Sequence, residues 1–328
     1  MPMLARRLAP NQLPPVTDAS LPTPLRGIVP PMITPLLDRD ALDVEGLERL
    51  VEHLVAGGVH GLFVLGTTGE AACLSYRLRR DVIRRTCEQV HGRLPVLVGV
   101  TDTCLVETLG LARSAAEAGA NAVVLAPPCY FPVSQSELIR YIRRVADELP
   151  LPLMLYNIPA LTKVAYEPET IRQLLDVPRI VGLKDSSRQM DLFLEFCQIT
   201  RQRPDWSLLI GFEHMLVDAM RAGGTGGVCA GANLSPGLLV ALYNAALAND
   251  PERLKEIDGI LRCQRQIYSV GRGSTASIQG IKCALALRGI CHDRMSEPFE
   301  GLLGEERANV KAILREIDGR IRPSNGMS

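Results

Sequence analysis

A chain of 328 residues with 36 acidic and 36 basic side chains has no net charge, which argues against a nucleic-acid or anionic-membrane partner and leaves small molecules as ligands. Its 47% hydrophobic content supports a substantial core, while no apolar run approaches the roughly 20 residues of a membrane span. Nine cysteines without a Cys-x-x-Cys pair and five histidines without metal-ligand spacing predict reduced core thiols in a cytoplasmic protein with no metal or cofactor site.

In chain order, residues 1–24 hold six prolines and little periodicity, which reads as an extended or disordered arm. Residues 25–249 then alternate. Short β-rich apolar runs fall at 27–34, 61–66, 95–100, 122–127, 153–157, 180–184, 208–212 and 226–230. Helical patterns follow each of them, at 43–56, 76–90, 106–118, 135–149, 168–175, 190–201, 214–222 and 236–248. Stop signals sit behind the helices at Gly57-Gly58, Gly119, Pro150 and Gly223-Gly224, and Ser134 with Glu137 makes a capping box. Eight strands, each nearly continuously apolar and each followed by a helix, predict an α/β fold of the (β/α)8 TIM-barrel type. An open doubly wound sheet is the weaker reading, because the first βα turn, Pro35-Leu36-Leu37-Asp38, lacks the Gly-x-Gly-x-x-Gly of a dinucleotide site. Over 250–328 the alternation stops, and helical stretches at 251–270, 275–287 and 304–320 predict a C-terminal α-helical appendage.

Chemistry in such a barrel collects at the C-terminal ends of the strands. The sixth ends Leu183-Lys184-Asp185-Ser186, an apolar run closed by a lysine. Only five of the 36 basic residues are lysine, leaving 31 arginines, so the chain uses arginine where charge alone serves. Arginine cannot form an imine, whereas a lysine amine held out of water can attack a carbonyl. The competing reading is a lysine that snorkels to solvent or pairs with Asp185.

Around Lys184 the other strand ends supply candidates. Gly66-Thr67-Thr68-Gly69-Glu70 offers a tight turn whose amides and hydroxyls converge on an anion such as a carboxylate. Tyr156, one strand away, is placed to relay a proton. Pro127-Pro128-Cys129-Tyr130-Phe131 forms an aromatic loop at the same mouth, and Gly211-Phe212-Glu213-His214 offers polar groups to the distal part of a substrate. The glycine-rich stretch Gly223-Gly224-Thr225-Gly226-Gly227 precedes its strand, at the wrong end of the barrel, and reads as structural.

Three of these motifs carry a resemblance over residues 27–320: Gly66-Thr67-Thr68-Gly69-Glu70, Tyr156-Asn157-Ile158-Pro159 and Gly182-Leu183-Lys184-Asp185-Ser186. The chain resembles the dihydrodipicolinate synthase / N-acetylneuraminate lyase family of class I pyruvate-dependent aldolases. The resemblance implies that Lys184 forms an imine with pyruvate or another 2-oxo acid, that Tyr156 relays protons, and that Thr67 and Thr68 hold the carboxylate. It also implies a homotetramer built from dimers, with Tyr130 near the subunit boundary and reaching the neighbour's site.

Departures from the family pattern bear on the substrate. Leu161 stands where the synthase branch carries an arginine for the second substrate's carboxylate, and leucine cannot make that bidentate contact. Glu213, His214 and Ala230 match only in part the acidic pair and serine of the sialic-acid lyase branch. Lys163 replaces a small residue and is expected to face water. The reading that follows is a Schiff-base lyase or aldolase that makes or breaks a C–C bond between pyruvate and an aldehyde. Its alternatives are a dihydrodipicolinate-synthase-type condensation or a 2-keto-3-deoxy sugar acid aldolase or dehydratase. Last comes a non-catalytic 2-oxo acid binding protein, for which an imine lysine and a proton relay would be superfluous.

Overall fold

The computed structural model describes residues 21–321. Residues 1–20 of the expected arm therefore lie outside the described residues. Eight parallel strands make one sheet: β1 (Gly27–Ile28), β2 (Leu62–Val64), β3 (Val96–Gly99), β4 (Ala122–Leu125), β5 (Leu153–Asn157), β6 (Ile180–Asp185), β7 (Ser207–Ile210) and β8 (Gly226–Gly227). Hydrogen bonding runs β1-β8-β7-β6-β5-β4-β3-β2, and the seam between β1 and β2 is closed just beyond β1. There Pro31 bridges in parallel to Phe63, Met32 N donates to Phe63 O at 2.8 Å, and Phe63 N donates to Pro30 O at 3.0 Å. The sheet is thus a closed barrel.

The first strand is much shorter than its apolar run suggests, because Pro30 and Pro31 have no N–H to continue a ladder. The eighth is short as well, since a 3-10 turn begins at Ala230. A small antiparallel hairpin, Leu36–Asp38 with Ala41–Leu42, occupies the connection before the first helix and was not signalled by the sequence pattern.

Helices α1 (Val44–Ala56), α2 (Tyr76–Val90), α3 (Leu105–Glu117), α4 (Gln135–Glu148), α5 (Pro168–Leu174), α6 (Met190–Thr200), α7 (Leu216–Ala222) and α8 (Pro236–Leu247) follow the successive strands. Their starts are set by short polar side chains: Asp43 accepts from Gly46 N, Ser75 from Leu78 N, and Ser134 with Glu137 closes the expected capping box. Beyond the barrel run α9 (Pro251–Gln266), α10 (Ala276–Leu287) and α11 (Gly304–Ile321).

The period of two along each strand divides the core. Inward-facing side chains, among them Val29, Phe63, Val124, Met154, Tyr156 and Leu209, fill the barrel interior. Outward-facing ones, such as Leu62, Leu155, Leu183 and Ile210, pack under the helices. This outer core continues without a break into Leu261, Ile281 and Leu314 of the C-terminal helices.

Candidate active site

Lys184 and Tyr156 are register partners on β6 and β5. Because Leu183 and Leu155 face the helices, their successors both turn into the barrel. Lys184 is buried, at 4% exposure, with its Nζ 3.9 Å from the centroid of the Tyr156 ring and 5.0 Å from that of Phe63. The two rings meet edge to face at 6.4 Å, so the ammonium lies against aromatic surface. Among the described residues no carboxylate forms an ion pair with it. Asp185 points to the other side of the strand, where it accepts from Asn157 Nδ2 at 2.7 Å and from Ser187 Oγ at 2.9 Å. Burial pushes the Asp185 carboxyl above its ordinary range, and those hydrogen bonds pull it back. Pairing of Lys184 with Asp185 is therefore not the arrangement adopted.

The turn after β2 is wound tightly, with Gly69 N donating to Gly66 O at 3.1 Å and Glu70 N to Thr67 O at 3.0 Å. Leu65 (φ 57°) and Glu70 (φ 56°) flank it in the left-handed region, a conformation that a non-glycine residue holds only when its surroundings enforce it. The enforcement at Glu70 comes from the C-terminal region. Its carboxylate accepts from Ser296 N and Ser296 Oγ, both at 2.7 Å, and is ion-paired with Lys282 of α10. Lys282 is fully buried and also donates to Arg294 O at 2.7 Å. Burial holds its ammonium below the ordinary lysine range while Glu70 acts in the opposite sense. Glu70 thus anchors the threonine turn from behind.

Between the barrel mouth and the C-terminal region lies a cavity of about 270 Å3. Thr67, Tyr156, Phe63 and Gly66 form its inner end; Lys184 is not among its walls but lies against the Tyr156 and Phe63 rings. The outer end is made by Cys129, Ile158 and Leu161 from the barrel loops with Ser274, Thr275, Ile278 and Phe299 from the C-terminal region.

Of the residues singled out by sequence, Tyr156, Gly66, Thr67 and Leu161 line this cavity, Lys184 lies against the Tyr156 and Phe63 rings that form part of its wall, and Thr68 is next along the turn. Tyr130 is not among its walls. It stands 84% exposed with φ 80°, its ring edge-on to that of Phe131 at 5.0 Å. Gly211, Glu213, His214 and Ala230 also lie off the cavity. Glu213 is turned away from it into the C-terminal region, accepting from Tyr268 OH at 2.9 Å and Gly231 N at 3.1 Å. A side chain at position 231 would collide with that carboxylate and hydroxyl, so the glycine is what lets the loop close over them. Lys163 caps its own one-turn helix, Pro159–Thr162, donating to Ala160 O at 3.0 Å.

Sequence reasoning missed Phe63, which the alternation of β2 could have signalled as inward-facing. It also missed Lys282 and the four C-terminal wall residues, which lie in helical or irregular stretches with no pattern tying them to the mouth.

Comparison with known proteins gives a consistent result. The family model of the dihydrodipicolinate synthetase family matches residues 24–317. A 4-hydroxy-tetrahydrodipicolinate synthase of Methanopyrus kandleri is 33% identical over 294 residues, 89% of this chain and 94% of that protein. Among solved structures, the dihydrodipicolinate synthase of Bacteroides thetaiotaomicron superposes with a TM-score of 0.87 at 47% identity, covering 90% of this chain and 99% of that one. YagE, a prophage protein of E. coli K12 solved in complex with pyruvate, gives 0.84 at 31% identity over 89% and 98%.

Proposed function

The chain belongs to the dihydrodipicolinate synthetase family, whose enzymes are lyases of the pyruvate-dependent aldolase type, and from that premise we propose that it works as a Schiff-base lyase with Lys184 as nucleophile. The observation that carries this reading is a buried lysine, unpaired by any carboxylate among the described residues, lying against Tyr156 and Phe63, two rings that line a cavity in the barrel mouth. A lysine kept for charge would face an acid or water.

In the forward step the neutral Lys184 amine adds to C2 of a 2-oxo acid. Loss of water from the carbinolamine gives the iminium, with Tyr156 passing the proton to the departing hydroxyl. The carboxylate at C1 is received by the amides and hydroxyls of Thr67 and Thr68. The C4 hydroxyl then gives up its proton to the Tyr156 oxygen, which lost its own to the departing water, as the C3–C4 bond breaks, and the bonding pair moves into the iminium to leave an enamine. An aldehyde departs. Protonation of the enamine at C3 and addition of water at C2 release pyruvate and restore the amine. Condensation is the same sequence reversed.

Synthase-type condensation with an aldehyde bearing its own carboxylate is the second reading, favoured by the names of the relatives. Leu161 at the cavity wall disfavours it. We further propose a homo-oligomer, a tetramer of two dimers, in which Tyr130 and Phe131 are covered by a neighbouring subunit. These rings are 84% and 76% exposed in the single chain, an apolar area that water does not favour. A cytoplasmic location fits nine unpaired cysteines and the absence, among the described residues, of any helix long and apolar enough to cross a membrane.

The test is reduction of the enzyme with borohydride in the presence of pyruvate, followed by peptide mapping. The expected result is a single adduct on Lys184. An adduct on Lys163 or Lys282 instead, or none at saturating pyruvate, overturns the mechanism.

A further inference from the structure

We propose that the outer end of the cavity is a subsite for an uncharged, predominantly apolar aldehyde half, of which an aromatic aldehyde is the representative, and that the C-terminal region supplies much of its wall. The inference rests on the lyase reading above and specifies its substrate class.

Four observations point the same way. Ile158, Leu161, Ile278 and Phe299 bring aliphatic and aromatic surface from two separate parts of the chain onto one space. Leu161 is 49% exposed at the cavity edge, so an apolar group laid against it leaves water together with it. Among the described residues no arginine or lysine side chain lines the space, and its one acid, Glu70, is already held by Lys282 and Ser296. The cations that could have substituted are engaged elsewhere: Lys163 on Ala160 O, and Arg272 on Glu306.

These facts exclude the two charged or polyhydroxylated alternatives on physical grounds. A carboxylate brought into the outer end would lose its hydration with no cation to receive it. A polyhydroxylated tail would need several donors and acceptors there. Glu213, the acid nearest in sequence to such a role, spends both oxygens on Tyr268 and Gly231. Of the hydroxyls along the walls beyond the threonine turn, Thr162 already donates to backbone carbonyls and Thr101 accepts from Ala126 N, which leaves Ser274 and Thr275 of the C-terminal region to serve a neutral polar substituent.

The experiment measures kcat/KM for condensation of pyruvate with benzaldehyde, glyceraldehyde and aspartate semialdehyde, using one preparation of the full chain. The pyruvate–borohydride adduct is measured separately without aldehyde. Benzaldehyde is expected to lead glyceraldehyde by at least about tenfold and aspartate semialdehyde by at least about a hundredfold. Leu161→Arg should shift the ratio of aspartate semialdehyde to benzaldehyde upward by at least about tenfold, because it restores a bidentate partner. Phe299→Ala should raise KM for benzaldehyde while leaving the yield of pyruvate adduct unchanged. With the adduct present, a lead for glyceraldehyde or aspartate semialdehyde, or equal or absent turnover of all three, overturns the subsite and leaves the imine reading standing. Absence of the adduct overturns both.

Discussion

Two of the five lysines are buried, Lys184 at 4% and Lys282 at 0% exposure, and only Lys282 faces a carboxylate. Its amine is committed to Glu70 and Arg294, whereas that of Lys184 lies against aromatic faces that carry no charge to neutralise it. Lys184→Arg keeps the charge and removes the imine, so turnover should fall by more than about a thousandfold while the circular dichroism spectrum and melting temperature stay near those of the parent. Tyr156→Phe keeps the ring against Lys184 and removes only the hydroxyl. A fall in kcat of about a hundredfold or more, with KM for pyruvate little changed, is the expected result in steady-state assays. Equal kcat for the two proteins would remove Tyr156 from the proton path.

At the scale of an element, the threonine turn after β2 cannot be understood from its own residues. Two non-glycine residues hold left-handed backbone around it, and the fixed point is Glu70, gripped from α10 and from the segment at Ser296. Lys282→Met leaves the Glu70 carboxylate buried without its cation, a change that costs about 3–5 kcal/mol for a broken buried pair. Chemical denaturation should show that loss, and the double variant Glu70→Gln with Lys282→Met should recover part of it. If the turn binds the pyruvyl carboxylate, the surviving folded fraction of Lys282→Met should show a raised KM for pyruvate with kcat changed less. An unaltered KM would detach the anchor from the turn's function.

For the molecule as a whole, the C-terminal helices share the outer core of the barrel and are tied to it by polar groups that include Glu70 and Glu213. Burial pushes the Glu213 carboxyl above its ordinary value of 4.5, against the pull of Tyr268, Arg265 and Gly231. The folded protein then keeps this proton to higher pH than the unfolded chain, so stability is greatest below the ordinary value and falls as pH rises from it toward the folded value. Glu213→Gln keeps a hydrogen-bonding group and cannot ionise. The stability of the parent relative to this variant, from urea melts at a series of pH values, should therefore decline above about 4.5; a flat difference would mean that Glu213 does not titrate abnormally. Assembly belongs to the same scale. Sedimentation velocity at assay concentration should give a species larger than the 35.8 kDa chain, and a fully active monomer would refute the covering of Tyr130 and Phe131.

The barrel was legible in the sequence because its determinants are local. Apolar runs of strand length, helices with their own caps and glycine stops, and the regular alternation of the two depend on spacing along the chain. For the same reason Lys184 and Tyr156 could be placed at strand ends, and the period of two turned them both inward. What the pattern could not show was where long-range contacts redirect a side chain. Glu213 looked available to a substrate until Tyr268, 55 residues further on, took its carboxylate. Lys282 carries no signal in the sequence that it would meet Glu70 inside the protein. The outer wall of the cavity is decided in this way too, since Leu161 and Phe299 come to line one space only when the C-terminal region folds back over the mouth. Reaction type is thus written in short motifs at strand ends, while the shape and polarity that select a substrate arise from segments far apart in sequence, whose meeting only the tertiary structure decides.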